Sequence, residues 1–176
     1  MGNAGAHACW HNADVPTIRP AVAADEPVLI ALTTRLAEFS VPAWRTPREI
    51  AEADHRILLD ALHHPTDDTA ILVAEEPAGA PAGYVFVSTK TDYFTHARHA
   101  HVEVLAVDPR IERRGVGRSL LAAAERWAEQ RGDPHITLNV FWQNTRARAV
   151  YDALGYEPET IHYRKALPAP PDHSAS

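Results

Sequence analysis

The stretch Leu105-Ala106-Val107-Asp108-Pro109-Arg110-Ile111-Glu112-Arg113-Arg114-Gly115-Val116-Gly117-Arg118-Ser119-Leu120-Leu121 changes character twice. Leu105 to Val107 ends an apolar run that starts near His99, and Asp108-Pro109 breaks it. From Val116 onward, Leu120, Ala124, Trp127 and Ala128 recur at helical spacing. A strand therefore runs through a short loop into a helix opened by two glycines. The first N–H groups of a helix have no partner within it, and with the helix dipole they form an anion site. Gly115 and Gly117 let a diphosphate approach the backbone without meeting a Cβ. Arg113, Arg114 and Arg118 supply charge-assisted contacts. Gly-x-Gly alone also fits a plain helix start with arginines on its solvated end. A dinucleotide fingerprint fails because Leu120 stands where the third glycine belongs. A P-loop fails because no Gly-Lys-Ser/Thr follows.

Downstream, Gly132 stops the helix and His135 to Phe141 reads as a strand. Val102 to Phe141 is thus a βαβ crossover with parallel strands. Asn144 caps a short helix whose inner face carries Ala147, Val150, Tyr151 and Leu154, and Gly155 ends it. Tyr156 to Leu167 supplies one or two last strands. Upstream, Thr69–Glu75 and Gly83–Thr89 flank the turn from Pro77 to Pro81 as a hairpin. Thr46-Pro47-Arg48-Glu49 is a capping box opening an amphipathic helix that His63-His64-Pro65 ends. Asp25 reads as the cap of an earlier helix with Leu29, Leu32, Leu36 and Phe39 inward, preceded by a strand from Val15 to Arg19. The class is α/β in the mixed α+β sense, a sheet with helices on its faces. One domain spans 15–167. Residues 1–14 read as a disordered arm and 168–176 as a disordered tail.

Leu-Ala-Val-x-Pro followed by Arg-Arg-Gly-x-Gly-Arg and an Ala/Leu-rich helix resembles the acetyl-CoA motif of the GNAT superfamily of N-acetyltransferases. The family pattern reads Gln/Arg-x-x-Gly-x-Gly/Ala, and Glu112 departs from its first position. Asn144, Ala147, Tyr151 and Leu154-Gly155-Tyr156 are similar to a second family element, and Thr17-Ile18-Arg19-Pro20 to its first strand. The resemblance covers residues 15–167. It implies a central mixed, mostly antiparallel sheet with a splayed parallel strand pair, flanked by about four helices. It also implies an acyltransferase that moves acetyl from acetyl-CoA to a primary amine by direct attack in a ternary complex. The competing reading is a non-catalytic acyl-CoA sensor on the same fold.

Under this resemblance Arg113, Arg114, Gly115, Val116, Gly117, Arg118 and Ser119 hold the diphosphate. The backbone of Leu105, Ala106 and Val107 pairs with the pantetheine arm and the thioester carbonyl. Asn144 bonds that arm, and Tyr151 contacts the co-substrate and protonates the leaving thiolate. An alkyl ammonium cannot attack until it loses a proton, and Glu103 is placed to accept one, directly or through water, with His99, His101 or water alone as other routes. Trp44, in the run from Ser40 to Arg45, with Asp92, Tyr93, Phe94 and His101, forms the expected acceptor wall. His96, His99 and His101 with Glu103 invite a zinc reading, but a polar strand entrance is favoured and no metal is assigned.

Composition narrows the partners. A net charge of −6 on 176 residues disfavours nucleic acid and suits a cationic acceptor, either a small-molecule amine or a protein amine. No apolar run is long enough to span a bilayer, and no signal peptide is read. Cys9 is the sole cysteine, which excludes internal disulfides and fits a cytoplasmic setting. A homodimer is left open.

Overall fold

The computed structural model describes residues 16–34, 36, 41–77, 79–111 and 114–167. The expected arm, the expected tail, Val15, Phe39, Ser40, Glu112 and Arg113 lie outside the described residues. The order is β1 (Thr17–Pro20), α1 (Glu26–Thr34), α2 (Pro47–His63), β2 (Thr69–Glu75), β3 (Pro81–Thr91), β4 (Arg98–Val107), α3 (Val116–Gln130), β5 (Ile136–Leu138) and α4 (Thr145–Ala153). The sheet order is β1-β2-β3-β4-β5. Strands β1 to β4 pair antiparallel and β4–β5 pair parallel, which is the expected mixed sheet with four helices.

Local chemistry sets the element ends. Thr46 Oγ1 accepts from Glu49 N, and Glu49 Oε2 accepts from Thr46 N at 2.7 Å, so the capping box starts α2. Asn144 Oδ1 accepts from Ala147 N at 3.1 Å and starts α4. Asp25 does not cap α1. It sits in a 3-10 turn before that helix, buried, where its carboxylate accepts from Val22 N and from both Arg19 guanidinium ends. A bidentate arginine satisfies the carboxylate more fully than helix amides would.

The sheet has a core on each face. Val85, Val87, Ala100 and Val102 pack with Leu120, Leu121 and Ala124 of α3. Tyr84, Phe86, Val104 and Ala106 pack with Leu29, Leu32 and Leu58 of α1 and α2. Along β4 the inward parity changes between Val102 and Val104. The ladder explains it: Val87 faces Val102 and Phe86 faces Val104, so Glu103 is an extra residue without a Cα partner in β3. One inserted residue is a β-bulge, and it turns two consecutive side chains to the same face.

The last strands expected from Tyr156 to Leu167 are not formed. Residues 157–167 are exposed and belong to no strand, with Ile161 and Tyr163 in the open. A strand needs a ladder, and β5 spans only Ile136–Leu138 rather than the expected His135–Phe141.

Gly83 faces Val107 in the β3–β4 ladder. A Cβ there would lie 2.7 Å from the Ala106 carbonyl oxygen and 3.1 Å from Val107 Cα. Both are backbone atoms and cannot step aside. Gly83→Ala is expected to cost about 1–3 kcal/mol, read as a lower urea midpoint. An unchanged midpoint would contradict this close approach.

Candidate active site

The quoted stretch folds into a cradle. β4 ends at Val107, a 3-10 turn covers Pro109–Ile111, and α3 begins at Val116. Gly115 stands just before the helix at φ 81°, a left-handed conformation that suits glycine alone among common residues. Ser119 N bonds Gly115 O at 2.9 Å, the first bond of the helix. The amides of Val116, Gly117 and Arg118 precede it at the positive end of the dipole. A Cβ on Gly115 would meet nothing within 4 Å, and one on Gly117 would make only ordinary contact with Val107 Cγ2 at 3.7 Å. The space above both glycines is therefore open to a ligand. Arg114 and Arg118 are exposed beside it, and Arg118 and Ser119 line a cavity of about 370 Å³ with Pro16, Ile18 and Arg126.

The strand leading to the cradle has an open side. Pairing with β5 runs through Ala100↔Ile136, His101↔Thr137 and Val102↔Leu138 and stops there. Among the described residues no strand pairs with β4 on that side from Glu103 to Val107, whereas β3 pairs with its other edge. Leu105, Ala106 and Val107 thus offer main-chain groups to an extended ligand, as an open sheet edge accepts an added strand. Tyr151, on α4, packs against the α3-side core with its ring 5.9 Å from Tyr156. Burial raises its pKa above the ordinary tyrosine value, so the phenol keeps its proton at neutral pH.

Across the sheet, Glu103 of β4 points into a cavity of about 550 Å³ bounded by α2, the start of β2 and the second half of β3. Arg56, Ile57, Asp60, Phe86 and Lys90 line it with Glu103. The Glu103 carboxylate accepts from Ser88 Oγ at 2.6 Å and forms an ion pair with Lys90 Nζ. Burial pushes its pKa up, but the Lys90 and Ser88 hydrogen bonds together outweigh burial and hold it below the usual range. It is therefore ionised at neutral pH and can take a proton. His101 shares this side of the sheet. Its Nδ1 bonds Thr137 Oγ1 at 2.7 Å and its Nε2 lies 3.3 Å from Asn139 Nδ2. Burial lowers its pKa despite Glu103, which favours the neutral ring with Nδ1–H donating to Thr137.

The other expected wall residues lie elsewhere. Asp92 Oδ1 is taken up by Phe94 N, Thr95 N and Thr95 Oγ1 of its own turn. Tyr93 and Phe94 meet edge to face at 5.2 Å and are exposed, and Trp44 lies under the Arg164 guanidinium. None of the four lines the Glu103 cavity. His99 is buried and stacks on His135 at 4.8 Å rather than joining His101 and His96. Among the described residues no group of three His, Cys, Asp or Glu is placed to hold a metal.

Three residues of this site escaped the sequence reading: Ser88, Lys90 and Asp54. The strand expected over Gly83–Thr89 stopped one residue short of Lys90. Asp54 lies four residues after Ile50 and four before Leu58, on a stripe that helical spacing reserves for the core. Burial raises its pKa, and the Glu103 charge adds to that.

The sequence profile of the acetyltransferase (GNAT) family matches residues 33–156. The Bacillus subtilis uncharacterized N-acetyltransferase YhfO is 29% identical over 154 residues, covering 86% of this chain and 98% of that protein. The aminoglycoside N(6')-acetyltransferase type 1 of Salmonella typhimurium is 31% identical over 114 residues, 58% of this chain and 79% of its own. Among solved structures, a putative acetyl transferase from Pyrococcus furiosus superposes with a TM-score of 0.70 at 23% identity, covering 86% of this chain and 99% of that one. AAC(6')-Iy in complex with the bisubstrate analog CoA-S-monomethyl-acetylneamine superposes at 0.63 and 24%, covering 88% and 100%. These two likenesses establish the fold.

Lys90 is the dominant group holding Glu103 ionised. Lys90→Met removes it and leaves burial as the largest influence, so the Glu103 pKa is expected to rise. Carboxyl 13C titration by NMR checks the direction, and an unchanged or lower value would refute this account of the pair.

Proposed function

The chain belongs to the acetyltransferase (GNAT) family, and from that premise we propose that it transfers the acetyl group of acetyl-CoA to a small-molecule primary amine by direct attack in a ternary complex. One observation carries this reading: the open edge of β4 starts at the bulge that sends Glu103 into the α2-side cavity and ends at the open glycine cradle. A single strand thus joins a place for a diphosphate, a place for an extended arm and a base.

The residues present fit acetyl-CoA as co-substrate. The amides of Val116, Gly117 and Arg118 would hold the diphosphate, with Arg113, Arg114, Arg118 and Ser119 around it. Leu105, Ala106, Val107 and Asn144 would hold the pantetheine arm. The thioester supplies an activated acetyl group. At pH 7.4 an alkyl ammonium with pKa about 10.4 is neutral in roughly one molecule in a thousand, so deprotonation at the site matters. Glu103, ionised and facing the cavity, accepts that proton. His101, held neutral, does not line that cavity, and its ring nitrogens are engaged by Thr137 and Asn139, so the proton goes to Glu103. Tyr151, a phenol that is protonated at neutral pH, donates to the departing sulfur. Main-chain N–H groups on the open edge of β4 would stabilise the carbonyl oxygen as it gains charge. A cavity of about 550 Å³ suits a small acceptor. The curated relative named as an aminoglycoside N(6')-acetyltransferase and the neighbour solved with a neamine-derived bisubstrate analog support an amine of that size.

Calorimetry and a thiol-release assay over an amine panel test the reading together. The wild type is expected to bind CoA and turn over at least one amine, while Gly117→Trp loses binding. Glu103→Gln and Tyr151→Phe should keep CoA affinity and lose about 10²–10⁴-fold in kcat. No detectable association with CoA or acetyl-CoA would overturn the proposal.

A further inference from the structure

One oxygen of the proposed base is already engaged. Glu103 Oε1 accepts from Ser88 Oγ and pairs with the ammonium of Lys90, a residue of β3 whose side chain is about half exposed along the same cavity. Lys90 is itself an alkyl primary amine, the chemical class that the proposed reaction consumes. Arginine, which carries nearly every other positive charge in the chain, keeps its proton at any ordinary pH and could not act this way.

We propose that Lys90 is a self-acetylation site: in the absence of an external amine the protein transfers acetyl from acetyl-CoA to Lys90 Nζ, using the Glu103 seat that the acceptor ammonium would otherwise take. This rests on the acetyltransferase reading above. Lys90 Nζ gives one proton to Glu103, which passes it to solvent. The freed lone pair forms the C–N bond as the thioester C–S bond breaks. The nitrogen then loses a second proton, which balances the one taken up by the CoA thiolate through Tyr151. The products are Nε-acetyl-Lys90, CoA thiol and one net proton. Acetylation removes the positive charge, so Glu103 keeps Ser88 as partner and loses the ion pair. An external amine competes for the same carboxylate and therefore protects Lys90.

The chain carries an internal control. It has two lysines, and the second, Lys165, is exposed in the segment after α4. The full-length protein, incubated with acetyl-CoA and no amine, is analysed by site-resolved mass spectrometry over time. Lys90 is expected to gain one acetyl group about a hundredfold faster than Lys165, at a rate per molecule independent of protein concentration, and a saturating amine should suppress it. Glu103→Gln, with CoA affinity checked by calorimetry, should slow Lys90 to the Lys165 rate. Equal rates at the two lysines, a rate proportional to protein concentration, or an unmodified Lys90 in protein that acetylates added amines would each overturn self-acetylation and leave the acetyltransferase reading intact. Failure to bind acetyl-CoA would overturn both.

Discussion

One surplus residue in β4 organises the molecule. Side chains on a strand alternate between faces, so an insertion exchanges the faces of everything beyond it. Ala100 and Val102 seal the α3 side, and Val104 and Ala106 seal the α1–α2 side. Glu103 stands at the exchange, out of register with β3, and its carboxylate enters the cavity under α2. A bulge also bends its strand and increases the local twist. The parallel pairing of β4 with β5 ends at Val102, the residue before the bulge. The same backbone irregularity thus accompanies both the exposed main-chain edge and the placement of the carboxylate. Gly83, packed against Ala106 and Val107, keeps the paired edge of that segment tight while the other edge stays open.

Electrostatics divide the site by side of the sheet. On the α2 side, Lys90 and Ser88 hold Glu103 ionised against its burial, and burial holds His101 neutral. Both groups are in the state that accepts protons. Against the α3-side core, burial raises the Tyr151 pKa further above neutrality. Environments that push titratable groups in opposite directions are how a single fold supplies a base and an acid at one pH. Asp54, raised by burial and by the Glu103 charge, shows the cost of a second carboxylate close by. Lys90 lowers the Glu103 pKa through the ion pair in the same cavity.

Much of this was legible in the linear chain. The limits of α3 and β2, the hairpin of β2 with β3, the capping box of α2, the Asn144 cap and the parallel β4–β5 pair all follow from short-range rules: apolar period, glycine and proline, and cap chemistry. The cradle was legible for the same reason, since a strand, a left-handed glycine and a helix start are neighbours in sequence. Short-range rules failed where the outcome depended on distant partners. Asp25 resembled a cap until Arg19 reached it. The segment from Tyr156 resembled a strand, yet β5 is too short to give it a ladder.

The order of elements, the glycine-opened start of α3 and the membership of Tyr151 in a short capped helix are properties of the sequence, because each is settled within a few residues by backbone conformation and hydrogen-bond satisfaction. The occupants of the Glu103 cavity were decided only by tertiary structure. Trp44, Asp92, Tyr93 and Phe94 had the right chemistry for an acceptor wall, but turn bonding and loop packing hold them elsewhere. Ser88 and Lys90 arrive instead because the β3–β4 register brings them there, with Arg56, Ile57 and Asp60 of α2 across from them. A register offset by one residue costs little to encode locally and reverses every side chain beyond it, so no local pattern reveals which groups will face each other.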